Sequence, residues 1–212
     1  MTDISVLQLA IGPMDNFAYF IISKAQKEVL IVDPGWEADT LLKKLIELSL
    51  TPIGILLTHG HYDHVNAIPE IQADYPQLPV YFSKNELAMF APKCNNIVDI
   101  EGGTVLNLLG ITIQCIATPG HSPGGICFQL TDYLFTGDTL FIQGCGRCDL
   151  PGSNPKEMYN SLYTRLKPLP GHLVVYAGHN YGHVPSTTLS EVIASNPILN
   201  CETPAQFLGR FF

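Results

Sequence analysis

Apolar and polar positions along the chain repeat in two registers, and the switches between them outline its elements. Stretches rich in Ile, Val, Phe and Tyr at 4–10, 16–23, 28–32 and 53–57 read as strands. Among them, Ala38, Leu41, Leu42, Leu45 and Leu48 recur at helical spacing with Lys43, Lys44 and Glu47 opposite, which predicts a helix over 37–50. Strand, helix, strand in succession is the α/β pattern. A second helix is expected after His64. A third is expected at Ser83, whose hydroxyl would cap the turn while Glu86 reaches back to it. From Thr104 onward the pattern is strand again, at 104–109, 111–117, 126–130 and 133–136, separated by Gly, Pro and Asp, which predicts a second sheet. Asn154 before Pro155, with Glu157 following, starts a helix reaching about Leu166, because proline at the first helical position gives up no needed donor. A strand at 173–176 and a last helix at 185–194 complete the reading. With no linker, repeat or low-complexity stretch, residues 1–212 are expected to form a single domain.

Composition narrows the function classes. The 212 residues are 46% hydrophobic and 14% charged, enough to build a core and unlike a disordered chain. The net charge of −8 withholds the electrostatic drive that phosphate-backbone binding requires, so no nucleic-acid partner is expected. No apolar run is long enough to span a bilayer. The start Met1-Thr2-Asp3-Ile4-Ser5 carries neither a basic leader nor an apolar signal core, so the expectation is a cytoplasmic protein with no membrane partner. Six cysteines are expected to stay mostly reduced, with Cys115 and Cys127 serving as small buried apolar residues.

The chemistry concentrates in Thr58-His59-Gly60-His61-Tyr62-Asp63-His64, directly after an apolar strand. A loop leaving a strand end can fold His59 and His61 toward one point while Asp63 and His64 turn to an adjacent one, which suits two metal ions. Imidazole and carboxylate favour zinc and leave iron and manganese open, and a cluster without cysteine points to a catalytic site. His121 in Thr-Pro-Gly-His, Asp138 in Thr-Gly-Asp-Thr and His179 in Gly-His-Asn-Tyr stand at strand ends as candidates to complete the set. His172 reads as a solvated loop residue and His183 as a surface or supporting one.

This set resembles the metallo-β-lactamase superfamily, whose His-x-His-x-Asp-His, Thr-Pro-Gly-His, Gly-Asp and Gly-His motifs occur here in that order across nearly the whole chain. The resemblance implies an α/β fold, a four-layer αβ/βα sandwich, with metals at one edge. His59, His61 and His121 would hold one ion and Asp63, His64 and His179 a second, with Asp138 bridging. Asp33, in Val-Asp-Pro-Gly, would order the metal loop from outside it.

Within the superfamily, Gly144-Cys145-Gly146-Arg147 and Gly178-His179-Asn180-Tyr181 resemble glyoxalase II, the hydroxyacylglutathione thioesterase. By that resemblance Arg147 would hold a carboxylate or phosphate of the substrate and Tyr181 would touch the thiol carrier. The chain departs from that family at Cys148-Asp149-Leu150-Pro151-Gly152. It also has only Arg210 near its end, where glyoxalase II has a basic helical domain that grips glutathione. Short relatives of this kind occur in bacterial polyketide pathways, which widens the expected substrate to a thioester of glutathione, coenzyme A or an acyl carrier. The implied activity is thioester hydrolysis by metal-activated water, with Asp63 and Asp138 catalytic and two zinc ions as cofactors, or iron or manganese in either site. The same Gly-Cys-Gly-Arg stretch resembles the mononuclear iron persulfide dioxygenases, the alternative reading. Cys145 and Cys148 are expected to be structural thiols near the pocket rather than a redox pair.

Overall fold

The computed structural model describes residues 4–211; Met1, Thr2 and Asp3, where the reading of a missing leader begins, lie outside the described residues. Two six-stranded sheets form the centre. The first runs in the order β1 (Ile4–Ile11), β2 (Asn16–Ser23), β3 (Glu28–Val32), β4 (Thr51–Leu56), β5 (Val80–Ser83), β6 (Ile97–Ile100). The second is ordered β12 (Thr187–Thr188), β11 (Val174–Ala177), β10 (Tyr133–Gly137), β9 (Ile126–Gln129), β8 (Ile111–Ala117), β7 (Val105–Leu108).

Alternation within the strands builds three cores. Phe17, Tyr19 and Ile21 of β2 and Leu30 and Val32 of β3 face Ile113, Cys115, Phe128 and Phe135 of the second sheet. Their neighbours Ala18, Phe20, Val29 and Ile31 point the other way, onto α1 (Ala38–Leu48) and α3 (Ile68–Asp74). On the far side of the second sheet, Cys127, Leu134 and Val175 pack against α5 (Pro155–Asn160), its π-helical continuation Ser161–Leu166, α6 (Leu189–Ser195) and α7 (Pro204–Leu208). The result is the expected αβ/βα sandwich. Strands covered on both faces read as nearly unbroken apolar runs, which is why β2 and β3 were legible. Among the described residues no helix is long and apolar enough to cross a membrane.

Four local readings change. Ser83 ends β5 and caps nothing; the next helix, α4 (Leu87–Phe90), begins after Glu86, whose carboxylate instead accepts from the backbone N–H of Gly60 and Gly124. The last predicted helix starts later, at Leu189. Its true cap is Thr188, reciprocated by Glu191, and the two residues before the helix pair with β11 as β12. A further helix, α7, follows it, with Thr203 accepting from Gln206 N–H. Between His64 and Thr104 lie two strands, β5 and β6, that the sequence pattern did not mark.

Strand direction positions the site. β3 and β4 are parallel, so Asp33 and the His59 loop leave at one edge of the first sheet. β8 and β10 are each antiparallel to β9, and β10 is parallel to β11; the loops carrying His121, Asp138 and His179 therefore leave one edge of the second sheet. Open α/β sheets place ligands at these carboxyl ends. Cross-sheet bonds hold the two edges together: Phe17 N–H to Gly178 O at 2.8 Å, Ile126 N–H to Thr58 O at 2.8 Å, and Tyr19 Oη–H to Ala177 O.

Candidate metal centre

The His59 loop follows β4 and turns into the single-turn helix α2 (Tyr62–Val65). Its tight course depends on Gly35, where any Cβ would sit 1.7 Å from Asp63 O. The chain thus brings His59, His61, Asp63 and His64 to one edge, with His121, Asp138 and His179 opposite. His59, His61 and His121 form one group and Asp63, His64 and His179 another, the ligand atoms of each within 4.8 Å of one another. Asp138 lies between them: its Oδ2 is 3.4 Å from His121 Nε2 and 3.2 Å from His179 Nε2, and its Oδ1 is 3.4 Å from His64 Nε2. All seven residues expected from sequence converge.

The outward ring nitrogens decide what the inward ones offer. His121 Nδ1–H donates to Arg147 O at 2.8 Å and His179 Nδ1–H to Met14 O at 2.8 Å, so each Nε2 turns a lone pair inward. Asp33 does the same for His64, 3.2 Å from its Nδ1, while also accepting from Thr58 N–H at 2.8 Å and Thr58 Oγ1–H at 2.6 Å. The inward nitrogens crowd together: His61 Nδ1 and His121 Nε2 are 2.9 Å apart, and His64 Nε2 and His179 Nε2 3.4 Å. Buried His59 Nε2 and Asp138 Oδ1 have no hydrogen-bond partner. Zinc–nitrogen bonds of about 2.0–2.1 Å at tetrahedral angles separate two ligand atoms by roughly 3.3 Å. The observed separations and the two orphaned atoms fit a cation-binding site.

Charge balance agrees. Burial works against protonation of His64, yet Asp138, Asp33 and Asp63 outweigh it and lift its pKa to about 9. Burial also opposes ionisation of Asp138, but His64, His179 and His59 hold its carboxyl well below the usual range. Burial and the neighbouring imidazoles, His121 foremost, push His61 down to about 4, so it is neutral and able to ligate at physiological pH.

Above the cluster opens a cavity of about 610 Å³. Met14, Tyr62, Phe90, Phe141, Leu150 and Tyr181 give it a largely apolar wall, and Gln143 and Arg147 add polar groups. Tyr181 stacks on His179 with ring centroids 4.8 Å apart. Arg147 lines this cavity, but its Nε and one terminal nitrogen each bond a carboxylate oxygen of Asp149 at 2.6 Å, so its fork is already engaged. Cys145 lines the cavity, Cys148 packs in the outer core, and both are free thiols. Burial first, then the nearby Cys148 and Cys201, raises the Cys145 thiol far above its ordinary pKa. His172 and His183 are exposed, as expected.

Several contributors carried no sequence signal. Asn16, at the start of β2, donates to Asp63 Oδ2 at 2.9 Å; Trp36 Nε1–H donates to Asn16 Oδ1 at 3.0 Å; Met14 O accepts from His179 Nδ1–H. Thr58 adjoins the histidine motif, but its bonds to Asp33 join residues 25 positions apart.

Residues 11–179 match the family described as the metallo-beta-lactamase superfamily. BaeB of Bacillus velezensis, a probable polyketide biosynthesis zinc-dependent hydrolase, is 37% identical over 194 residues, covering 92% of this chain and 86% of its own. A hydroxyacylglutathione hydrolase of Pectobacterium atrosepticum is 40% identical over 184 residues, 87% of this chain and 67% of its own. Among solved structures, ETHE1 from Myxococcus xanthus superposes with a TM-score of 0.87 at 31% identity, covering 98% of this chain and 89% of that one.

Proposed function

The chain belongs to the metallo-β-lactamase superfamily as a metal-dependent hydrolase, and from that premise we propose that it is a dinuclear zinc thioesterase acting on acyl thioesters of glutathione, coenzyme A or an acyl carrier. The observation that carries this reading is the arrangement of two three-ligand groups with Asp138 between them, under an apolar-walled cavity. His59, His61 and His121 would hold one ion and Asp63, His64 and His179 the other, with Asp138 shared; iron or manganese suits the same donors. When bound, such ions act as Lewis acids and lower the pKa of water to about 7, making hydroxide available at neutral pH.

The remaining work falls to the chain's own groups. Arg147 O, Met14 O and Asp33 keep the Nδ1 positions of His121, His179 and His64 engaged, so these rings face the reacting centre in one tautomer. Asp63 and Asp138 bring negative charge to the centre, each within 3.5 Å of His64 and His179. The apolar wall from Phe90 to Phe141 would take the acyl chain and exclude bulk water, with Tyr181 packed along the carrier. Arg147 would exchange Asp149 for an anionic group of the carrier; that exposed pair is weak enough to release. A thiolate leaves without a proton donor. Cys145, held protonated by burial, is not the nucleophile.

The partner is then a small or carrier-linked thioester, with no role for nucleic acid or membrane. The test is thiol release from glutathione, coenzyme A and acyl-carrier thioesters by protein purified without added metal, with its metals counted. Two zinc ions and thiol release support the proposal. One iron with oxygen consumption on glutathione persulfide would replace it with the persulfide dioxygenase reading.

A further inference from the structure

Apart from the Asp33–Thr58 pair, which touches His64 on one side and His59 on the other, the two halves of the cluster are braced by different parts of the chain. Around Asp63, His64 and His179 the brace is the β1–β2 turn with Trp36. Asn16 is fully buried and bonds Asp63 twice, from Nδ2 to Oδ2 at 2.9 Å and to the backbone O at 3.2 Å. Its backbone bridges that of His179, whose Nδ1 is held by Met14 O two residues earlier. Asp63 Oδ2 and its backbone O are acceptors only, so both require Nδ2 to face them. Indole nitrogen is a donor only, so Trp36 Nε1–H obliges Oδ1 to face it and Nδ2 to face the carboxylate. Trp36 is itself seated on Gly12, where a Cβ would lie 2.1 Å from the ring, and against Tyr62 edge-on.

Around His59, His61 and His121 the brace is Glu86. It is fully buried and ties the two ligand-bearing loops together, Oε2 accepting from Gly60 N–H at 3.2 Å and Oε1 from Gly124 N–H at 2.5 Å. Both glycines are required by close approach: a Cβ on Gly60 would meet Phe90 O at 2.3 Å, and one on Gly124 would meet Glu86 N at 2.7 Å. These bonds and those of Asn16 and Trp36 share no residue.

We propose that Trp36, acting through Asn16, is a positioning residue for the Asp63–His64–His179 half alone, and Glu86 for the His59–His61–His121 half alone, so that occupancy of the two halves is separately tunable. The inference rests on reading the cluster as a two-metal site. It predicts that Trp36→Phe, which keeps an aromatic ring and deletes one N–H, leaves buried Asn16 Oδ1 without its donor and so loosens Asn16 and Asp63 without touching the other half.

The experiment titrates the zinc-loaded full-length protein with a competing chromophoric chelator and resolves the two dissociation steps, Asp63→Ala and His121→Ala marking which step belongs to which half. Trp36→Phe is expected to weaken the Asp63 step about 10-fold and Asn16→Leu up to about 100-fold, the range for partners behind metal ligands, with the other step within about twofold. Glu86→Gln is expected to do the reverse. Thermal unfolding of the loaded variants separates these effects from global loss of the fold; should Glu86→Gln not fold, the Trp36 and Asn16 variants decide the matter. Two steps that weaken together, or neither moving, would overturn the separate braces while leaving the two-metal reading intact. A wild-type protein that binds a single ion would overturn both.

Discussion

Asp33→Asn is the sharpest probe of how this centre is built, because it turns one carboxylate oxygen into an NH2 donor and removes the charge with almost no change of volume. Asp33 is buried, sits at φ 47°, and accepts from three donors: Thr58 N–H, Thr58 Oγ1–H and His64 Nδ1. Asparagine tolerates the left-handed conformation as aspartate does, so the backbone has no reason to move. Its single oxygen can still accept from Thr58 N–H, and the Thr58 hydroxyl can reverse its role. The amide then points N–H at His64 Nδ1, 3.2 Å away in the parent, where two donors would collide. In the neutral form that a metal requires, His64 then relieves the collision by carrying its one proton on Nε2, the nitrogen that faces His179 at 3.4 Å. A protonated Nε2 has no lone pair for a metal.

Two effects follow with different magnitudes. Replacing a charged acceptor by a neutral one among buried donors removes about 1–3 kcal/mol of stability. The tautomer change weakens zinc at the Asp63–His64–His179 group by about 10- to 100-fold, or roughly 1.4–2.7 kcal/mol. The assay pairs denaturant unfolding with a chelator-competition titration of zinc, and the Nδ1 and Nε2 shifts of His64 in a nitrogen-labelled sample report the tautomer directly. Unchanged zinc affinity, with His64 still protonated on Nδ1, would refute the claim that Asp33 sets the ring's orientation.

Asp138→Ala and His61→Ala should each abolish thioester turnover while circular dichroism stays near that of the parent, since both residues face the cavity rather than a core. Arg147→Ala should chiefly raise KM for carrier-linked thioesters with kcat little changed; equal KM values across several carriers would remove Arg147 from substrate binding. The pKa of His64 in the metal-free protein is lifted to about 9, above the ordinary 6.5, so below pH 9 zinc must displace a proton from it. Apparent zinc affinity at that group should therefore rise by up to about tenfold per pH unit from 7 toward 9, and a flat profile over that range would contradict the assignment. Phe128→Ala, between the sheets and fully buried, should cost about 3–5 kcal/mol in urea unfolding without altering zinc stoichiometry.

The sequence by itself determined which side chains can do chemistry and roughly where the strands lie. His59, His61, Asp63 and His64 are readable because four candidate ligands, three imidazoles and a carboxylate, crowd one strand end, and β2, β3, β8 and β10 because residues buried in a sandwich alternate or run apolar without a break. Local grammar fails where two structures share one pattern. Ser83-x-x-Glu86 satisfies a helix cap and equally suits a strand end followed by a carboxylate that ties two distant loops; the bonds to Gly60 and Gly124 span 26 and 38 residues. β5 and β6, four residues each, are strands because neighbours pair with them. Arg147 reads from sequence as a free substrate-gripping fork, whereas in the fold Asp149 occupies that fork. The convergence itself belonged to the tertiary structure. His121, Asp138 and His179 share an edge only because β8, β10 and β11 run in one direction, and that direction is set by hydrogen bonds between strands far apart in the chain, which local side-chain periodicity does not encode.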